Sequence, residues 1–141
     1  MILTYSLPRF KDAILAGTKI HTLREDPNRR WKPGMSIQHW MHNPRNASKN
    51  PHKFADGVCQ GVQEIIIMRQ SLTIPDVYLF LGDPENPTTI DRHNGRFLTH
   101  EEVLELATND GLTIEEFREW FVPAGIPSHS TRIIHFTDKM Y

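Results

Sequence analysis

The chain has 141 residues and a formal net charge of −1 at neutral pH, with 38% hydrophobic and 23% charged residues. That length suits one domain with one ordinary core, and the composition excludes a disordered or fibrous chain. The lone cysteine, Cys59, excludes an intramolecular disulfide, and no run approaches the roughly 18 apolar residues of a membrane span, so one cytoplasmic domain over residues 1–141 is expected.

In chain order, Ile2 to Ser6 is a β-prone run, and Pro8 suits the first turn of a helix through Phe10, Ala13, Ile14 and Leu15 that Gly17 ends. Residues 19–24 read as a strand, followed by a basic turn through Pro27, Arg29 and Arg30. Pro33 and Gly34 occupy the central positions of a type II turn that launches a strand from Met35 to Met41. The stretch from Asn43 to Asp56 holds three basic residues, three Asn and two Pro with almost no apolar content, and reads as a long loop. Val58 to Arg69 carries apolar groups at both parities, as a strand buried on both sides would. Asp76 to Leu81 is a further strand, and Thr88 to Arg92 with Arg96 to Leu98 read as a hairpin around Asn94-Gly95. Thr99 with Glu102, and Thr113 with Glu116, are capping boxes that open two helices, and Thr131 to Phe136 closes the chain as a strand. Strands dominate and no strand-helix alternation calls for a parallel sheet, so the expected class is α+β, a small mixed barrel with peripheral helices.

Charge is spread unevenly. Residues 1–54 hold ten basic and three acidic groups, a balance of +7, against six and fourteen, a balance of −8, in residues 55–141. Such a chain can present a basic face to phosphates, or its halves can neutralise each other across the fold.

Lys19, Thr22 and Arg24 place an amine, a hydroxyl and a guanidinium within six residues, directly after a glycine turn. Strict alternation puts Thr22 and Arg24 on one face and Lys19 on the other, so either the strand begins irregularly near Lys19 or the three do not act together. Arg24 can hold a phosphate or carbonyl through two hydrogen bonds, or pair with Glu25 or Asp26. Trp31 and Trp40 can stack on a base or belong to the core. Arg29, Arg30, Lys32, Arg45, Lys49 and Lys53 can rim a surface that attracts phosphate, or form a solvated loop. His39 and His42 stand at odd spacing and face opposite ways, and there is no HExxH, paired-cysteine motif or phosphate-cradling glycine loop, so neither a metal nor a cofactor is expected. Cys59 lies in an apolar strand and is not a candidate nucleophile.

The run Ala16-Gly17-Thr18-Lys19-Ile20-His21-Thr22-Leu23-Arg24, then Trp31-Lys32-Pro33-Gly34 with Met35 to Trp40, then Asn109-Asp110-Gly111-Leu112-Thr113 with the helix Glu115 to Phe121, resembles the ASCH family over nearly the whole chain. The resemblance implies a PUA-like β-barrel related to RNA-binding domains. Within that family, bacterial acetylcytidine amidohydrolases use a lysine, a threonine and a glutamate to cleave the acetyl amide from the cytosine ring. The lysine and threonine match Lys19 and Thr22, whereas the glutamate's place is taken by Asp110, one carbon shorter. The expected site is therefore Lys19, Thr22 and Asp110 for catalysis, converging on one cleft, with Arg24, Trp31, Arg29, Arg30 and Lys32 binding a nucleoside or single-stranded RNA. A non-catalytic RNA-binding module using the same cleft is the rival, and a metal-dependent ribonuclease, as proposed for some relatives, is a third reading.

Amide hydrolysis needs an activated nucleophile, a proton carrier and stabilisation of a tetrahedral oxyanion. Lys19 can take the Thr22 proton only if burial or a cationic neighbour such as Arg24 lowers its pKa from about 10.4. Asp110 stands near a helix C-terminus, whose dipole disfavours negative charge, and can serve the leaving amine as proton carrier; its plainer role is an Asp-Gly helix stop.

Overall fold

The computed structural model describes residues 1–69, 77–82, 95–121 and 128–141. Their element order is β1 (Ile2–Tyr5), α1 (Pro8–Leu15), β2 (His21–Arg24), β3 (Ser36–Met41), β4 (His52–Val58), β5 (Gly61–Arg69), β6 (Val77–Leu81), β7 (Arg96–Phe97), α2 (His100–Asn109), α3 (Ile114–Phe121) and β8 (Ser128–His135). The α+β class stands, with three helices and two sheets among the described residues. The expected barrel is not closed. One sheet runs β1-β3-β4 and the other β2-β8-β5-β6-β7, and no described strand pairs across the two. Just before β2, Ile20 N–H donates to the Asn109 carbonyl at the end of α2, while the Ile20 carbonyl accepts from Phe136 N–H.

The smaller sheet is mixed. β1 lies parallel to β3, and β3 antiparallel to β4. Alternation turns Leu3 and Tyr5 of β1, and Ile37, His39 and Met41 of β3, to the core, leaving Ile2 and Gln38 outside. In the larger sheet β5 pairs with β8 along eight positions, from Gly61 with His135 to Met68 with Ser128. The apolar residues of both sheets join Trp31, Leu106 and Phe117 in one core. Helix α2 contributes Val103, Leu106 and Ala107 and packs on β6 and α3.

The local signals account for most boundaries. Met35 N–H bonds to the Lys32 carbonyl at 3.3 Å with Gly34 at φ +86, the geometry of a type II turn. Both capping boxes are present: Glu102 N–H donates to Thr99 Oγ1, Glu116 N–H to Thr113 Oγ1, and each glutamate returns the bond. Two expectations need correction. The stretch Asn43 to Asp56 is not one long loop, because a short 3₁₀ turn covers Ala47–Lys49 and β4 begins at His52. As an edge strand paired only with β3, β4 has no fully buried residue, so the apolar pattern by which a strand is read is missing. The run Val58 to Arg69 is two strands rather than one, since Cys59 exchanges backbone bonds with Gly34 and Met35 between them. In β5 the fully buried positions are Gly61, Ile65 and Ile67, which is alternation and not burial on both faces. Arg96–Phe97 pairs with β6, while Asp76, Thr88 to Arg92 and Asn94 lie outside the described residues. Among the described residues no helix is long and apolar enough to cross a membrane.

Candidate active site

Lys19 and Asp110 reach each other because two helices end in the same way. At the end of α1, Thr18 N–H bonds to the Ala13 carbonyl and Gly17 N–H to that of Ile14, with Gly17 at φ +75. At the end of α2, Leu112 N–H bonds to Ala107 and Gly111 N–H to Thr108, with Gly111 at φ +79. Both are the paired bonds of a glycine-terminated helix. Lys19 follows the first turn and Asp110 is the C-cap of the second.

The Lys19 ammonium donates to the Asp110 carboxylate Oδ1 at 2.6 Å and to the Asp110 main-chain carbonyl at 2.5 Å, and it sits 4.7 Å from the centre of the Phe10 ring. One cation thus satisfies a carboxylate, a free carbonyl at a helix terminus and the negative end of the dipole. Burial pushes the Lys19 amine below its usual range; the Asp110 carboxylate pulls the other way, and Arg24 adds to the lowering.

Lys19 precedes β2 rather than belonging to it, which removes the parity conflict between Lys19 and Thr22. Lys19, Thr22, Arg24 and Asp110 line one cavity of about 140 Å³ together with Tyr5, Phe10 and Trp120. The Thr22 side chain is buried, and its hydroxyl makes no hydrogen bond to the described residues. Arg24 donates through Nη2 to the Thr4 carbonyl at 2.6 Å and lies over the Tyr5 ring, not against Glu25 or Asp26; its Nε is buried without a partner. Tyr5 Oη lies 2.9 Å from His39 Nδ1, and burial raises the phenol's pKa while lowering that of His39 to about 4.

Four expected substrate-binding residues stand elsewhere. Trp31 is 6% exposed and belongs to the core, so its faces are already covered. Its backbone N–H and that of Arg30 donate to Asp26, which also takes Arg132, and this buried carboxylate shapes the turn. Arg29 lines a second cavity of about 250 Å³ with Glu25, Asp26 and Arg132, and its Nη2 is 3.6 Å from Glu64. Arg30 and Lys32 are exposed and line neither cavity. Trp40 is half-buried on the outer face of β3, with its indole N–H on Gln38. The cavity aromatics are instead Tyr5, Phe10, Trp120 and Phe121. Trp120, 47% exposed, had a legible signal: it follows Phe117 by three positions on α3, at the margin of the face that Phe117 and Phe121 turn inward.

Cys59 is fully buried, and its thiol donates to the Gly61 carbonyl. Among the described residues no group of three or more His, Cys, Asp or Glu side chains is arranged to hold a metal ion. No family model matches the chain, and neither a curated protein nor a solved structure does.

Proposed function

We propose that the chain is a PUA-like domain of the ASCH family and an amidohydrolase that removes the acyl group from an N4-acylated cytosine, taken up as the nucleoside. The observation that carries the reading is the meeting, in one cavity, of Thr22 with a buried Lys19–Asp110 pair drawn from positions 91 residues apart. At about 140 Å³ the cavity is smaller than the roughly 300–1,000 Å³ of sites for drug-sized ligands, so it suits the acylated base ring, with the ribose left at its mouth.

The neutral amine form of Lys19, which its lowered pKa favours, takes the proton from Thr22 Oγ1 and becomes the ammonium as that oxygen attacks the acyl carbonyl carbon. The two N–H groups of that amine go to the Asp110 carboxylate and carbonyl, which leaves its lone pair for this exchange. Arg24, in the same lining, stabilises the oxyanion. Asp110 Oδ2, which has no hydrogen bond to the described residues, accepts the N–H of the substrate amide. The Lys19 ammonium then returns its proton to N4, the C–N bond breaks, and cytidine leaves with the acyl group on Thr22. Water attacks the acyl-threonine ester while Lys19 takes its proton; the carboxylic acid departs and Oγ1 is protonated again. The sum is amide plus water giving amine plus acid.

Incubation of the purified chain with 4-acetylcytidine, followed by chromatography, tests the reading. Cytidine and acetate should appear in equal amounts. Binding without release would replace it with a non-catalytic RNA-binding module, whose affinity for RNA falls steeply with salt.

A further inference from the structure

Asp110 Oδ1 has a second neighbour. His21, fully buried at the start of β2, places Nδ1 at 3.7 Å from that oxygen, an electrostatic contact rather than a hydrogen bond. The other ring nitrogen, Nε2, is 2.9 Å from Tyr141 Oη, and Asn109 Nδ2 donates to the same Oη at 2.7 Å.

This network assigns the tautomer. The Asn109 amide fills an acceptor position on the phenol, and an Nε2–H on His21 would leave the Tyr141 hydroxyl hydrogen with no acceptor among the described residues, so the hydroxyl goes to Nε2 as the lone-pair nitrogen. The His21 proton sits on Nδ1. The Asp110 carboxylate at 3.7 Å adds a weaker preference in the same direction, since a lone pair on Nδ1 would be repelled by Oδ1, whereas an N–H is attracted. Burial lowers the His21 pKa, so the ring stays neutral, and burial pushes the Tyr141 phenol up to about 12, so it keeps its hydrogen. The phenol cannot wander. Tyr141 N–H donates to Gln63 Oε1 at 3.0 Å, and Gln63 Nε2 donates to the Tyr141 carbonyl at 2.9 Å, which clamps the residue to β5. Around His21 stand Lys19, the ring of His135 at 5.6 Å across β8, and Lys139.

We infer that His21 is the positioning residue of the site: its Nδ1–H, set by the Asn109–Tyr141 pair, turns Oδ1 of Asp110 towards Lys19 and leaves Oδ2 for the ligand. Its place in catalysis rests on the amidohydrolase reading; its tautomer does not. The hydrogen-bonded pair reaches Asp110 from both directions, because Asn109 is also its chain neighbour and accepts the Ile20 N–H that begins the run to His21.

The test is ¹⁵N NMR of the His21 imidazole in the full chain, with Tyr141→Phe as the variant that removes Oη alone. His21 itself is too deeply buried to replace safely. The wild type should show a protonated Nδ1 and an unprotonated Nε2. Tyr141→Phe should shift the ratio towards the Nε2–H form that free histidine prefers, while the His39 signals report an intact fold. With 4-acetylcytidine, kcat should fall by about 10- to 100-fold with KM little changed. A protonated Nε2 in the wild type, or the same tautomer ratio in Tyr141→Phe, overturns the inference, as does an unchanged kcat. If the wild type releases no cytidine, the amidohydrolase reading fails, and the tautomer result still decides whether His21 is held as described.

Discussion

Lys19 Nζ lies 2.6 Å from Asp110 Oδ1, with both side chains almost wholly removed from water. Such a pair is weak evidence of net stabilisation, but breaking it on one side strands a buried charge. Lys19→Met should therefore cost about 3–5 kcal/mol in urea unfolding, whereas Lys19→Met combined with Asp110→Leu should recover most of that loss. If the double variant is as unstable as the sum of two damaging changes, the two groups are not energetically coupled.

Gly17 and Gly111 share a left-handed backbone but not their surroundings. A Cβ at Gly17 meets nothing within 4 Å, while one at Gly111 comes within 3.1 Å of the Phe10 ring and 3.5 Å of Lys19 Cδ. Gly17→Ala should cost about 1–2 kcal/mol from backbone strain alone. Gly111→Ala should cost about 1–3 kcal/mol more, because Phe10 must move, and it should disturb the cavity that Phe10 and Lys19 line. Equal thermal shifts for the two variants would contradict this crowding.

The helix ends were legible because their chemistry is local: glycine after α1 and α2, and a threonine three residues before a glutamate at α2 and α3. Lys19 and Thr22 were legible as a group for the same reason. Edge strand β4 was not, since a strand half in water needs no apolar alternation. Trp31 stands in the core rather than at the cavity, a placement the sequence does not show because it does not say which faces of a tryptophan are covered. Arg29, Arg30 and Lys32 follow Arg24 closely in sequence, but the turn built on Asp26 carries them away from the cavity. His21 lay inside the recognised motif and drew no role, because its partners come from α2 and from Tyr141, 120 residues distant.

Buried histidines set the acid side of stability. Burial lowers the pKa of His39 to about 4 and that of His135 to about 3, and lowers that of His21 as well. The unfolded chain then binds more protons than the folded one, so the stabilisation is complete above about pH 6.5 and is lost as pH falls towards these values. Between pH 5 and 6 most carboxylates are ionised in both states, and urea unfolding should take up about two to three protons, near 1.4 kcal/mol per pH unit for each histidine. A stability that is the same at pH 5 and pH 7 would mean that these rings are not held neutral in the fold.

The sharpest division between enzyme and binding module falls on Thr22. Its hydroxyl makes no hydrogen bond to the described residues, so Thr22→Val keeps the shape of a buried side chain without stranding a donor or acceptor. The variant should unfold within about 1 kcal/mol of the wild type, which makes any loss of turnover chemical in origin. If Oγ1 attacks the acyl carbonyl, cytidine release should fall by several orders of magnitude while the dissociation constant for 4-acetylcytidine, read from the Trp120 fluorescence at the cavity, changes little. If the hydroxyl only binds, affinity should drop by about 0.5–1.5 kcal/mol and there is no turnover to lose. Lys19→Met, assayed where urea unfolding shows it to remain folded, sharpens the contrast. As the base it stops release outright, and as a mere ligand contact it weakens binding and flattens the salt dependence of RNA affinity. Release that survives both changes would move the chemistry to Asp110 and an activated water, with Thr22 reduced to part of the wall.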